Sequence, residues 1–199
     1  SGPTFAAEAA LEKPTAVTLA CADKVLGKKL VETLGTLSFR PYYSSDIVSV
    51  EIGGAVKNVM AIAAGIIDGM KLGDNPKAAL MTRGISEMGR LGELLGGSAQ
   101  TFSGLSGIGD LIVTCTSGHS RNRHVGEELG RGKKLPEILQ EMGMVVAEGV
   151  TTAQGAYTLA RRVGAETPII DEIHAILYHG RDVPTAVRNL MSRSAKPEL

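Results

Sequence analysis

The stretch "VEIGGAVKNVMAIAAGIIDGM", Val50 to Met70, decides how the rest of the chain is read. It is too long for an ordinary strand and contains no proline, so the expected element is a long helix. On that helix the neighbours of Lys57 at three, four and seven positions are Val50, Gly53, Gly54, Met60, Ala61 and Ala64, none of them charged. Small side chains there leave room for another backbone or a ligand, beside an ammonium partly stripped of water. The alternative is a lysine that snorkels to the surface along its own alkyl stem. This stretch by itself leaves both readings open.

Composition bounds the answer. With 43% hydrophobic and 21% charged residues over 199 positions, the chain is a globular protein of one large or two small domains. Twenty-one Lys and Arg balance twenty-one Asp and Glu, so no global field draws it to nucleic acid or an anionic membrane. Cys21 and Cys115 form neither a disulfide framework nor a paired zinc pattern, which points to a reducing, cytoplasmic setting. The apolar run Val59 to Ile67 is shorter than the roughly 20 residues of a membrane span, so no stable membrane insertion is expected. A start of Ser-Gly-Pro without methionine suggests the later part of a longer protein.

Outward from the long helix, the first 45 residues read as one α/β crossover. "TAVTLAC" (Thr15–Cys21) is β-prone, "DKVLGKKLVETLG" (Asp23–Gly35) has helical apolar spacing at Val25, Leu26, Leu30, Val31 and Leu34, and "FRPYYSS" (Phe39–Ser45) is extended. From residue 46 the pattern is helical. Asp46 or Ser45 caps the long helix, and Asn75-Pro76 opens another that ends near Gly96-Gly97. "TFSGLSGIGDLIVTCTSGHS" (Thr101–Ser120) reads as an irregular centre. Beyond it, helices are expected at Ser120 to about Leu129, Leu135–Met142, Thr151–Val163, Ile169–Tyr178 and Val183–Met191. The fold class is therefore mainly α, an all-helical domain preceded by the remnant crossover of a Rossmann-type domain.

Chemistry concentrates in the centre. Asp110, directly before "LIVTC", reads either as a helix cap or, together with Lys57, as a carboxylate that orients an amine for proton exchange. In "SGHSRNRHVGEELG" (Ser117–Gly130), Ser120, Arg121, Asn122 and Arg123 stand at a helix start, where free N–H groups and the helix dipole favour an anion. Arg121 is suited to grip phosphate with paired hydrogen bonds; a merely solvated basic turn is the alternative. Cys115, His119 and His124 match no zinc spacing, so no metal is expected. "GLSGIGDL" lacks the dinucleotide spacing and follows no strand, so it is not a cofactor fingerprint.

In this order the residues resemble those of the bacterial-type NAD(P)-dependent glycerol-3-phosphate dehydrogenases. The likeness runs through "SGPTFA" (Ser1–Ala6), "GGAVKNVMAIAAGIIDG" (Gly53–Gly69), "GDNPKAALMTRGISEM" (Gly73–Met88), "SGIGDLIVTCTSGHSRNR" (Ser106–Arg123), "VVAEGV" (Val145–Val150) and "TPIIDEIHAILY" (Thr167–Tyr178). It implies interconversion of glycerol 3-phosphate and dihydroxyacetone phosphate by hydride transfer with NAD or NADP, supplying glycerophospholipid precursors. It also implies that Lys57 gives or takes the proton on the substrate oxygen, with Asp110 beside it. Ser120, Arg121 and Asn122 fall on the phosphate-binding segment, and Gly2 and Thr4 on a substrate loop. Ala6, Arg121, Val146 and Glu148 fall on cofactor contacts.

In the family a Rossmann half with a glycine-rich loop and another active-site lysine precedes "SGPTFA". The expectation is thus a nucleotide-domain remnant at 1–45 and a helical substrate-binding and catalytic domain at 46–199, nearly inactive alone. A homodimer is the expected assembly. Two competing classes are another hydroxyacid-type dehydrogenase and a non-catalytic helical assembly module. The Lys57-Asn58 pair and the Ser120–Asn122 segment favour a phosphorylated three-carbon substrate over a carboxylated one.

Overall fold

Asp23, Asp46, Ser120 and Asp182 each place a side-chain oxygen on backbone N–H groups of the helix that follows, and these caps set where elements begin. The computed structural model describes residues 1–143 and 146–194. A short helix α1 (Ala6–Ala10) leads into β1 (Thr15–Ala20), α2 (Lys24–Leu34) and β2 (Phe39–Ser44). The strands pair in parallel, Thr15 opposite Phe39 through Ala20 opposite Ser44, so the expected crossover unit is present. Helix α1 had no counterpart in the sequence reading.

The helical part follows as α3 (Ile47–Gly69), α4 (Asp74–Leu94), α5 (Asp110–Thr116), α6 (Arg121–Gly130), α7 (Leu135–Met142), α8 (Glu148–Val163), α9 (Pro168–His179) and α10 (Val183–Met191). Helix α3 is the axis of the bundle, with Val59, Met60, Ala61, Ile62 and Ala64 fully buried. It is long and apolar enough to cross a membrane, yet α4, α5, α6 and α8 pack around it and two-thirds of its apolar window is buried. Its contact with α6 is backbone to backbone. A Cβ on Gly65 would lie 1.9 Å from the Arg123 carbonyl oxygen, and one on Gly126 1.9 Å from that of Ile62. Each contact repeats one turn on, Gly69 against the Glu127 carbonyl and Gly130 against that of Ile66, so the two helices run in the same direction, side by side.

Two readings change. The central segment is not irregular: a 3₁₀ turn at Ala99–Ser103, a π-helical turn at Leu105–Gly109 and α5 follow one another, with the Ser106 carbonyl packed into the notch left by Gly53. Helix α4 starts at Asp74, one residue before Asn75-Pro76, behind Gly73 at φ 92°, and α8 starts at Glu148 rather than Thr151. The helix read from apolar spacing at Asp23–Gly35 is present as α2, with Leu30 and Val31 half-buried and the rest of the spacing open. Val25 is 81% exposed and Leu26 and Leu34 about half exposed, since among the described residues only Gly27, against the Tyr43 ring, is closely covered on that helix.

Candidate active site

Lys57 lies mid-way along α3, and Asp110 is the first residue of α5, which packs across it. The ammonium Nζ donates to Asp110 Oδ1 at 2.5 Å; the lysine side chain is 22% exposed and the aspartate 2%. The charge missing along the helix thus arrives from another element. Snorkelling is not the arrangement, and neither is capping. The α5 N-terminus has no side-chain cap, because the capping position is Gly109 and Asp110 is already the first residue of the helix.

Asp110 Oδ2 accepts from Ser1 Oγ and from the backbone N–H of Gly2, each at 3.1 Å. Thr114, one turn on, donates to the Asp110 carbonyl at 2.6 Å and lies 3.4 Å from Oδ1. Gly2 has φ 149°, and a Cβ there would press on the Ala16 and Val17 backbone, so glycine lets the amino-terminal loop reach Asp110. The Thr4 hydroxyl donates to the Gly2 carbonyl and holds the same loop. The small residues beside Lys57 admit the chain's own atoms: Gly53 meets the Ser106 carbonyl and Gly54 meets Ser1 Oγ.

A second cluster forms at the start of α6. Ser120 Oγ caps the helix by accepting from Arg123 N. Asn122, buried, accepts from Gly149 N through Oδ1 at 2.8 Å and donates Nδ2 to Asn58 Oδ1 at 3.0 Å. Arg121 is half exposed, with Nη2 3.8 Å from Glu148 Oε1. The two clusters are joined by sequence, because Asn58 follows Lys57. Gly118, His119, Ser120, Arg121, His124 and Met142 line a shallow depression of about 270 Å³ at this end of α6. The residues expected to bind phosphate therefore divide: Arg121, half exposed beside Glu148, can turn to a ligand, while Asn122 spends its carbonyl on the protein and Ser120 spends a lone pair on its own helix.

Of the cofactor candidates, Glu148 and Arg121 come together, Val146 is exposed, and Ala6 is exposed at the start of α1. An exposed cation at a helix start, with Val146 exposed two residues before its partner Glu148, suits one edge of an anionic dinucleotide. Cys115 is buried on α5, which pushes its thiol up to about 12, an inert sulfur rather than a metal ligand. A larger cavity of about 440 Å³ between α3, α4, α9 and α10 is lined by none of the expected site residues. At its edge, burial pushes the Glu87 carboxyl up to about 8 against the opposing pull of the Ile169 and Ile170 N–H groups and Arg90. Ser1, Thr114 and Gly149 complete the constellation without having been assigned a role from sequence, and Asn58, read there only as Lys57's neighbour, proves to be the link to Asn122. Thr114 carried a signal, its i+4 spacing from Asp110; Ser1 and Gly149 carried none.

A family model described as NAD-dependent glycerol-3-phosphate dehydrogenase C-terminus matches residues 46–188. A glycerol-3-phosphate dehydrogenase [NAD(P)+] of Solidesulfovibrio magneticus is 52% identical over 198 residues, covering 100% of this chain and 60% of its own length. That of Syntrophotalea carbinolica is 54% identical over 199 residues with the same coverage. The crystal structure of glycerol-3-phosphate dehydrogenase from Coxiella burnetii superposes with a TM-score of 0.92 at 44% identity, over 97% of this chain and 59% of that one. The chain thus spans about 60% of the length of the curated relatives it matches. With the matched region containing Lys57, Asp110 and Arg121, the chain belongs to the NAD-dependent glycerol-3-phosphate dehydrogenase C-terminal family.

Proposed function

We propose that these residues form the substrate half of a dehydrogenase that interconverts glycerol 3-phosphate and dihydroxyacetone phosphate. The observation that carries this reading is the Lys57–Asp110 pair at 2.5 Å, tied through Asn58 and Asn122 to a helix start bearing Arg121. Residues 1–45 form the last crossover of a nucleotide-binding domain and 46–194 the substrate-binding unit. Support comes from the chain's passage at Asp46 from a parallel strand pair into the bundle.

NAD or NADP supplies or accepts the hydride when bound, and Ala6, Arg121, Val146 and Glu148 are the residues of this chain that would touch it. In the reducing direction the Lys57 ammonium donates a proton to the ketone oxygen as hydride adds to the carbonyl carbon, leaving an alcohol and a neutral amine. The partly exposed lysine regains its proton from water. Asp110 holds the Nζ in one orientation, and is itself held by Ser1 and Gly2. Arg121 and the α6 dipole fix the phosphate end, so that the carbonyl is placed against Lys57 by the far end of the molecule.

Calorimetric titration of glycerol 3-phosphate into the chain and into Arg121→Ala tests this reading. Saturable binding that the substitution weakens by tenfold or more is expected. Equal binding of glycerol and glycerol 3-phosphate would refute it.

A further inference from the structure

Arg121 is the exposed cation at the start of α6, and among the described residues its carboxylate partner within 4 Å is Glu148, at 3.8 Å. The two side chains are 51% and 63% exposed, so the pair sits in water and is weakly held. The backbone that carries Glu148 is not loosely placed. Gly149 N donates to Asn122 Oδ1 at 2.8 Å, and a Cβ on Gly149 would lie 2.6 Å from the Asn58 carbonyl oxygen, so the first turn of α8 is clamped against the residue next to Arg121. Glu148 also has a second place to rest. As the first residue of α8 it sits at the positive end of that helix's dipole, which stabilises a carboxylate without help from Arg121.

We infer that Glu148 is an internal competitor for Arg121, so that a phosphate group arriving at the start of α6 displaces a carboxylate rather than meeting a free guanidinium. This rests on the function proposed above. The exchange is between anions on one cation. Arg121 leaves Glu148 for a ligand bearing about two negative charges and three acceptor oxygens, and Glu148 falls back on the α8 dipole. The ligand must offset the lost pair and the residual repulsion from Glu148, so binding is weaker and release faster than Arg121 alone would give. Fast release matters where departure of product limits turnover. Glu148 is here a tuning residue for phosphate affinity.

Inorganic phosphate is titrated calorimetrically into the 199-residue chain and into Glu148→Gln, Arg121→Ala and the double variant. Loss of an exposed ion pair of this kind predicts that Glu148→Gln tightens phosphate about two- to fivefold. Arg121→Ala weakens it, and in the Arg121→Ala background Glu148→Gln gives little further gain. Unchanged or weaker binding by Glu148→Gln, with Arg121→Ala still impaired, overturns the inference and leaves the proposed function standing. Absence of phosphate binding in every protein overturns that functional reading, and this inference with it.

Discussion

Replacing Asp110 by Asn removes one negative charge and turns one acceptor into a donor at a site where the carboxylate accepts from Lys57, Ser1 and Gly2. If the new amide nitrogen faces α3, it opposes the Lys57 ammonium that now stands 2.5 Å from Oδ1. If it faces the amino-terminal loop, it opposes Ser1 Oγ and the Gly2 N–H, both at 3.1 Å from Oδ2. Either orientation leaves a donor unsatisfied beside a residue that is 2% exposed, at a cost of about 1–3 kcal/mol. Breaking a fully buried ion pair costs about 3–5 kcal/mol, and the 22% exposure of Lys57 places this pair below that range.

Together these set the expected loss for Asp110→Asn at about 2–3 kcal/mol. Lys57→Met is milder, about 1–2 kcal/mol, because the carboxylate keeps its Ser1 and Gly2 donors. The double variant relieves the donor facing α3, so a coupling energy of about 1–2 kcal/mol is expected between the sites. Urea unfolding at neutral pH, followed by circular dichroism and arranged as a double-mutant cycle, measures all three terms. Asp110→Asn costing less than Lys57→Met, or costs that add to within about 0.5 kcal/mol, would refute the account of Asp110 as the hub.

Glycines sort by what faces them. Gly126→Ala would drive a methyl to within 1.9 Å of the Ile62 carbonyl oxygen and force α3 and α6 apart, whereas Gly155, inside α8, has nothing within 4 Å of an added Cβ. Thermal denaturation should show Gly126→Ala losing several kcal/mol, at the severe end of overpacking, and Gly155→Ala gaining about 0.5–1 kcal/mol. A tolerated Gly126→Ala would contradict the backbone contact. For Glu87, the native carboxyl keeps its proton up to about pH 8 while the unfolded chain releases it near 4.5. The unfolded state therefore binds fewer protons across that window, and stability falls as pH rises from 4.5 to 8, by at most about 1.4 kcal/mol per pH unit. Glu87→Gln, whose amide has a single acceptor for the Ile169 and Ile170 N–H groups, should be less stable at pH 5 but lack this fall. Parallel melting curves for both proteins across the window would exclude the assignment.

Much of this molecule was legible before its coordinates. Helix caps at Asp46 and Ser120 act through a side chain and an N–H two or three residues on, so they are local and readable. The same is true of the strand, helix, strand order of the crossover and of an arginine at a helix start. The apolar spacing of α2 was equally visible and marked the helix but not its burial, because periodicity names a face without saying what lies against it. The central glycines looked like a loop for a related reason. Gly53 and Gly107 are sites of close backbone approach, and the partner backbones, the Ser106 carbonyl and Phe102, are supplied by folding.

Sequence by itself determined that a lysine stands in an apolar helix, that a carboxylate opens a later segment, and that a basic turn follows it. Only the tertiary structure decided that Lys57 and Asp110 share a proton-bearing contact, that Asn122 serves the protein as a clamp, and that Arg121 faces Glu148. The physical reason is separation along the chain. A cap or a turn is settled by neighbours within one helical turn, whereas the Lys57–Asp110 contact joins residues 53 positions apart. It forms only because glycines let α3, the central turns and the amino-terminal loop approach within backbone contact.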